Sequence, residues 1–170
     1  MRSYNTRELS FPLEGAKIST EFKAFYIDTG LLVSQLGDEM AQKILTGDIS
    51  AYKGAIAENM VASAFAVNGM ELYYYHAPSG SPELDFVFER DGEVVLTECK
   101  STNNRATSMK NVLANPKKYG EHPAIKYADA NVGVGEKYIT YPLYALGFLS
   151  EKKKTQIVSA IDVKNLKVPN

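Results

Sequence analysis

The chain of 170 residues holds a single cysteine, Cys99, so no internal disulfide can form. Four-cysteine zinc sites and Cys-x-x-Cys redox chemistry are excluded with it. Histidine is equally scarce. Only His76 and His122 occur, too few for a multi-histidine metal centre. Net charge is almost absent, since 19 Lys plus Arg face 20 Asp plus Glu and leave −1. That balance speaks against a protein that coats nucleic acid by bulk charge, although it leaves room for a local basic strip. Long apolar runs are missing too. The region after Met1 carries Arg2, Arg7, Glu8 and Glu14, unlike a signal peptide. The charge-free stretch Tyr138 to Ser150 contains Pro142 and is shorter than the about 20 apolar residues of a membrane helix. A soluble, cytoplasmic protein without a membrane partner is the expectation.

What is present is ordinary for a globular domain. Hydrophobic residues make up 45% of the chain, enough for a core at this length. Charge is distributed unevenly. Between Glu83 and Glu98 six acids face only Arg90, a net of −5. Between Cys99 and Lys126 six basic residues face only Glu121, a net of +5. An acidic hairpin is followed at once by a basic segment. Alternating solvated faces would give the same pattern, as would a cation-binding centre beside a phosphate-attracting strip.

Local patterns place the elements. Residues 1–22 are polar, with Pro12 and Gly15, and read as an irregular or extended N-terminal lead-in. Asp28 can cap a short helix through Leu31, Leu32 and Leu36 that Gly37 ends. Residues 53–68 form the clearest helix. Ala57, Val61 and Phe65 share one line, and Gly69 sits where a left-handed cap belongs. A tyrosine strand, Tyr73-Tyr74-Tyr75, follows and is expected to have one wet face. Leu84 to Glu89 and Val94 to Cys99 read as two strands joined through Asp91-Gly92, a strong hairpin signal. Residues 105–114 fit a helix stopped by Pro116. Ala124 to Tyr127 and Lys137 to Thr140 fit further strands, and Tyr141 to Phe148 a last short helix. The order predicts an α/β fold with helices packed on a sheet. The domain is expected over residues 23–150, with a Lys-rich tail over 151–170.

The chemistry concentrates between Asp85 and Lys100. Alternate strand residues share a face, so Glu98 and Lys100 point together and Cys99 points away. A hairpin turning at Asp91-Gly92 sets Asp85 across from Glu98. Two carboxylates so placed make a hard-oxygen site for Mg²⁺ or Mn²⁺. A lysine beside them can orient water or offset phosphate charge, as metal-assisted attack on a phosphodiester requires. Glu58 falls within about 20° of Phe65 on an ideal helix. A carboxylate on that apolar face needs a cation, a metal or a path to water. Arg105 and Lys110 follow the second strand and can meet phosphates or simply face solvent. Cys99 reads as a small core residue.

Asp85, then Glu98-Cys99-Lys100, with Glu58 upstream on a helix, resembles the PD-(D/E)xK nuclease-like superfamily. FYIDTGLL (25–32), GAIAENMVASAF (54–65), ELYYYHAPSGSPELDFVFERDGEVVLTECKS (71–101) and TYPLYALGFL (140–149) are similar to one branch. That branch is the uncharacterised C-terminal domain of bacterial and archaeal AAA-type ATPases. The resemblance covers roughly residues 22–149. It implies a restriction-endonuclease-like mixed central sheet flanked by helices. It implies that Glu58, Asp85, Glu98 and Lys100 are catalytic. It also implies that Glu58, Asp85, Glu98 and the Cys99 carbonyl hold Mg²⁺ or Mn²⁺. A P-loop ATPase domain or a homologous chain is the implied partner, with nucleic acid contacted by Arg105 and Lys110, and a homodimer is a further option. Two departures stand out. Pro82 lies three positions before Asp85 rather than beside it, and no Gly-Lys dipeptide occurs, so this chain should not bind ATP through a P-loop. A fragment, an excised domain or a truncated relative is the expectation. The roles left open are a metal-dependent nuclease, a catalytically silent binding module, and a purely structural salt bridge.

Overall fold

The protein is described from a computed structural model covering residues 1–47, 52–102 and 105–148. The Lys-rich segment 151–170 lies outside the described residues. The strands are β1 (Arg2–Thr6), β2 (Lys17–Ala24), β3 (Tyr73–His76), β4 (Glu83–Arg90), β5 (Glu93–Lys100), β6 (Ala124–Ala128), β7 (Gly133–Val134) and β8 (Ile139–Pro142). The helices are α1 (Leu13–Ala16), α2 (Thr29–Gln35), α3 (Asp38–Leu45), α4 (Lys53–Val67), α5 (Thr107–Leu113) and α6 (Pro116–Tyr119). A 3₁₀ helix, Leu143–Phe148, closes the described chain. Among the described residues eight strands join one sheet in the order β2-β1-β3-β4-β5-β6-β8-β7. The β1–β3, β5–β6 and β6–β8 pairs are parallel, and the other pairs are antiparallel. The fold is therefore mixed α/β, as the element pattern predicts.

The hairpin at the centre follows from its turn. Arg90 pairs with Glu93, leaving Asp91 and Gly92 as a two-residue loop. Both have positive φ, 54° and 84°, as the hairpin turn that matches strand twist requires. β5 then runs through the middle of the sheet and is buried on both faces. Val94 and Leu96 enter one core cluster with Leu13, Leu84, Met109 and Val112. Val95 and Cys99 enter the other with Val61, Phe65, Phe86 and Tyr127. Helix α5 thus covers one cluster and α4 the other.

Helix α4 buries the predicted line of Ala57, Val61 and Phe65, together with Ala62. It ends as Gly69 allows. Gly69 N–H donates to Ala66 O and Met70 N–H to Phe65 O, both at 3.0 Å, with Gly69 at φ 75°. This pair of bonds satisfies carbonyls that the last turn leaves open. Buried Asn59 ties the preceding chain to α4. Its Oδ1 accepts from Tyr26 N–H at 2.8 Å, and its Nδ2 donates to Thr29 Oγ1 at 3.2 Å. Asp28 caps α2 through Gly30 and Leu31 N–H, as its position predicts.

Residues 1–22 are extended rather than irregular, and they supply β1 and most of β2. β1 lies inside the sheet between β2 and β3. Its buried residues are Ser3, Asn5 and Thr6, which give no hydropathy signal. Polar partners compensate the burial of Asn5 and Thr6. Asn5 Nδ2 donates to Glu21, Asn5 Oδ1 accepts from His76 N–H, and Thr6 Oγ1 donates to Glu8 O. The tyrosine strand has no wet face, because Tyr73, Tyr74 and Tyr75 are all buried. Pro116 both stops α5 and opens α6, since the fixed φ of proline suits a first helical position. The last strand is 139–142 rather than 137–140, and the final helix is 3₁₀ from 143. Among the described residues no helix is long and apolar enough to cross a membrane.

Candidate functional site

An irregularity in β4 sets the site. Tyr73 pairs with Val87 but Tyr75 pairs with Leu84, so β4 holds one extra residue around Asp85 and Phe86. Such a bulge bends a strand and re-aims a side chain. The Asp85 carboxylate turns onto β5, where its Oδ2 accepts the Cys99 N–H at 2.7 Å. Lys100 completes the bridge. Its Nζ is 2.6 Å from Glu98 Oε1 and 3.8 Å from Asp85 Oδ2. Asp85, Glu98 and Lys100 therefore meet as their spacing predicts. Glu58 joins them electrostatically from α4, within the field of Asp85, Lys23 and Lys100.

Burial shapes the charges. Glu98 is the deepest, its side chain only 4% exposed. Burial, and then the Asp85 charge, push its pKa up to about 7 against the Lys100 hydrogen bond. Burial also raises Asp85, opposed by the Cys99 N–H and Lys100. Glu58 is raised by burial and by Asp85, while Lys23 and Lys100 draw it down. Burial lowers Lys100, but Glu98 and Asp85 outweigh that and hold it above its usual range. The second oxygen of Glu98, Oε2, is buried with no hydrogen-bond partner. A desolvated carboxylate oxygen without a partner costs free energy.

The pH dependence has a definite sign. A carboxyl raised on folding is protonated in both states below its ordinary pKa of 4.5, so there is no penalty there. The penalty grows as pH rises from 4.5 to about 7 and is full above that. Glu98→Gln removes that penalty while keeping the shape. Thermal melts should show the variant more stable than the wild type near pH 8, by up to about 3 kcal/mol. The gap should close toward pH 5. A gap independent of pH would show that Glu98 is not held in this state.

The other predicted residues divide. The Cys99 thiol is buried beside Phe65 and Phe86, and burial pushes its pKa up. Its contribution to the site is its N–H, which fixes Asp85. Arg105 and Lys110 are exposed, one just before α5 and one on it. Neither takes part in the carboxylate cluster. Sequence reasoning missed Lys23 and Glu83, an ion pair at 2.5 Å at the edge of the cluster. Lys23 sits on β2, whose signal is the alternation of Ile18, Thr20 and Phe22 with polar neighbours.

The donor set fits a divalent ion of one kind. Among the described residues no group of three or more His, Cys, Asp or Glu side chains is gathered as a ready ligand shell. Mg²⁺ does not need one. It is commonly held by one or two carboxylates, with water and substrate phosphate filling the remaining positions. Asp85 and Glu98, all-oxygen donors with Oε2 unpartnered, suit such an ion.

A mixed sheet with a buried, lysine-bridged pair of carboxylates at a bulged hairpin defines the class of domain. The chain belongs to the DUF4143 family, a domain of unknown function, whose match spans residues 53–145. Glu58, Asp85, Glu98 and Lys100 all fall within that span. No curated protein and no solved structure matches the chain.

Proposed function

We propose that the domain is a nuclease-like module of an AAA-type ATPase system and that its carboxylate cluster cleaves phosphodiesters of DNA or RNA with Mg²⁺ or Mn²⁺. The observation that carries this reading is the buried, unpartnered Glu98 Oε2 beside Asp85 and Lys100. A structural salt bridge alone would give no reason to bury that oxygen without a donor. Asp85 and Glu98 would hold the ion, with Glu58 and the Cys99 carbonyl as additional donors. The ion would offset charge developing on the phosphoryl oxygens. Lys100 would position the attacking water and stabilise the same charge from the protein side. The proton that this water gives up would pass through solvent to the leaving oxygen. Attack forms a bond from the water oxygen to phosphorus and breaks a bond to one bridging ester oxygen, which leaves with a proton. The Cys99 N–H keeps the Asp85 carboxylate oriented throughout.

Labelled single- and double-stranded DNA and RNA, incubated with Mn²⁺ or Mg²⁺, test the proposal. Wild type should give shortened product that chelation abolishes, and Asp85→Asn should slow it by about 100-fold or more. Absence of product with every substrate, or equal rates for Asp85→Asn, would contradict cleavage. Binding that survives Asp85→Ala plus Glu98→Ala would then identify a catalytically silent module docking on nucleic acid, on a P-loop ATPase or on its own copy. In that reading Lys100 serves only to neutralise the buried acids.

A further inference from the structure

The carboxylate site is held from a part of the chain outside the family match of residues 53–145. Strand β2 carries Lys23, and in the order β2-β1-β3-β4 two strands separate it from the site hairpin. The Lys23 side chain crosses that gap. Its Nζ lies 2.5 Å from Glu83 Oε1 and 4.9 Å from the centre of the Tyr74 ring. Both contacts bear on the bulge. Tyr73 pairs with Val87 and Tyr75 with Leu84, so Tyr74 alone faces Asp85 and Phe86. Glu83 opens β4 two residues before Asp85 and pairs with His76. One ammonium therefore meets the residue opposite the bulge and the strand just ahead of it.

The platform beneath Lys23 is fixed as well. Ser3 of β1 is its register partner, and Asn5 lies beside Tyr74 in the parallel β1–β3 pair. The buried Asn5 side chain donates to Glu21 on β2 at 2.6 Å and accepts from His76 N–H on β3 at 3.0 Å. That amide stitches β2, β1 and β3 together. Burial opposes the Lys23 charge, but Glu83, then Glu58 and Asp85, hold the ammonium above its usual range. The aim of a bulged side chain depends on what holds the strand around it. On the β5 side the Cys99 N–H holds Asp85 at 2.7 Å. We propose that Lys23 is a positioning residue of the carboxylate site: clamped to Glu83 and seated on Tyr74, it holds the bulge so that Asp85 stays directed at the Cys99 N–H. Its importance for cleavage rests on the phosphodiesterase reading; its hold on Asp85 does not. Without the clamp, Glu83 and Asp85 are two like charges close together on one strand, and their repulsion acts on the bulge.

Backbone amide exchange of the full chain, read by NMR without added metal, tests the hold on Asp85. The Cys99 amide reports on Asp85. The Leu96 amide, on the same strand and bonded to Pro123 O at 3.0 Å, reports on β5 itself. Lys23→Met keeps the stem over Tyr74 and removes the charge. It should speed exchange at Cys99 by about tenfold relative to Leu96. Lys23→Arg should restore the wild-type ratio, because the charge and the ion pair return. Glu83→Gln should act in the same direction as Lys23→Met. The double variant should go no further than Lys23→Met alone, as for two groups acting through one contact. Unchanged Cys99 exchange in Lys23→Met would overturn the proposal. So would an equal rise at Cys99 and Leu96, the mark of a purely structural ion pair. Cleavage of labelled single-stranded DNA with Mn²⁺ separates the two readings. A kcat about tenfold lower at unchanged KM in Lys23→Met, regained in Lys23→Arg, supports the positioning role. A wild type that never cleaves, with Cys99 still released in Lys23→Met, would remove the phosphodiesterase reading and keep the hold on Asp85. A wild type that cleaves, with Cys99 unmoved in Lys23→Met, would do the reverse.

Discussion

Lys100→Met is expected to abolish cleavage and to loosen the fold at the same time. Lys100 is the cation that touches both site acids, at 2.6 Å from Glu98 and 3.8 Å from Asp85. Methionine keeps the length of the stem and removes the charge. Breaking a fully buried ion pair costs about 3–5 kcal/mol. Lys100 is 29% exposed, so solvent screening reduces this to about 2 kcal/mol. The loss should be larger near pH 8 than near pH 5, because Glu98, with its pKa at about 7, is neutral at the lower pH and no longer needs a cation. Cleavage should fall by about 10²–10⁴ in kcat with little change in KM, as for loss of a group acting on the reacting atoms. Single-turnover rates and melts at the two pH values separate these effects. Normal turnover by Lys100→Met would remove the lysine from the chemistry, and a pH-independent loss of stability would remove it from the buried pair.

Phe65→Ala should give the largest loss of stability. Phe65 is 1% exposed and meets three rings, Phe86 at 5.8 Å, Phe88 at 5.2 Å and Tyr127 at 6.0 Å. These rings belong to β4 and β6, so Phe65 fastens α4 across the centre of the sheet. Truncating a buried phenylalanine costs about 3–5 kcal/mol through lost transfer energy and the cavity left behind. For a chain of this size that lowers the melting temperature by on the order of 10 °C. Urea unfolding should show a lower midpoint with an unchanged m value. Because α4 also carries Glu58, cleavage should weaken as well, though less than in Lys100→Met. A stability loss below about 1 kcal/mol would mean that α4 does not dock through this residue.

The parts of the fold that are legible in the sequence are those governed by local physics. Asp91-Gly92 specifies its hairpin because few other residues tolerate positive φ twice in succession. The line of Ala57, Val61 and Phe65 specifies α4 because one face must be buried. With the hairpin fixed, strand alternation puts Glu98 and Lys100 on one face, with Asp85 on the neighbouring strand. The parts that stay hidden depend on long-range pairing. β1 is buried through Ser3, Asn5 and Thr6, and the burial of Asn5 and Thr6 is tolerable only beside Glu21, Glu8 and His76. Without β1, β2 has no place in the sheet, and Lys23 has no route to Glu83. The bulge at Asp85 also escapes the sequence, because it appears only when β3 and β4 are set in register. Lys126 is the clearest case. A lysine amid Ala124, Ile125, Tyr127 and Ala128 gives no hydropathy signal of burial, yet Lys126 is 4% exposed. Only the parallel register with β5 sets it beside Glu98.

A crystal soaked in Mn²⁺ and measured for anomalous scattering tests the carboxylate site most directly. A peak between Asp85 and Glu98, in contact with Glu98 Oε2 and lost in Asp85→Asn, is the predicted result. A well-ordered crystal with Lys100 still bridging Glu98 and Asp85 and no anomalous peak at saturating Mn²⁺ would contradict a metal-dependent site.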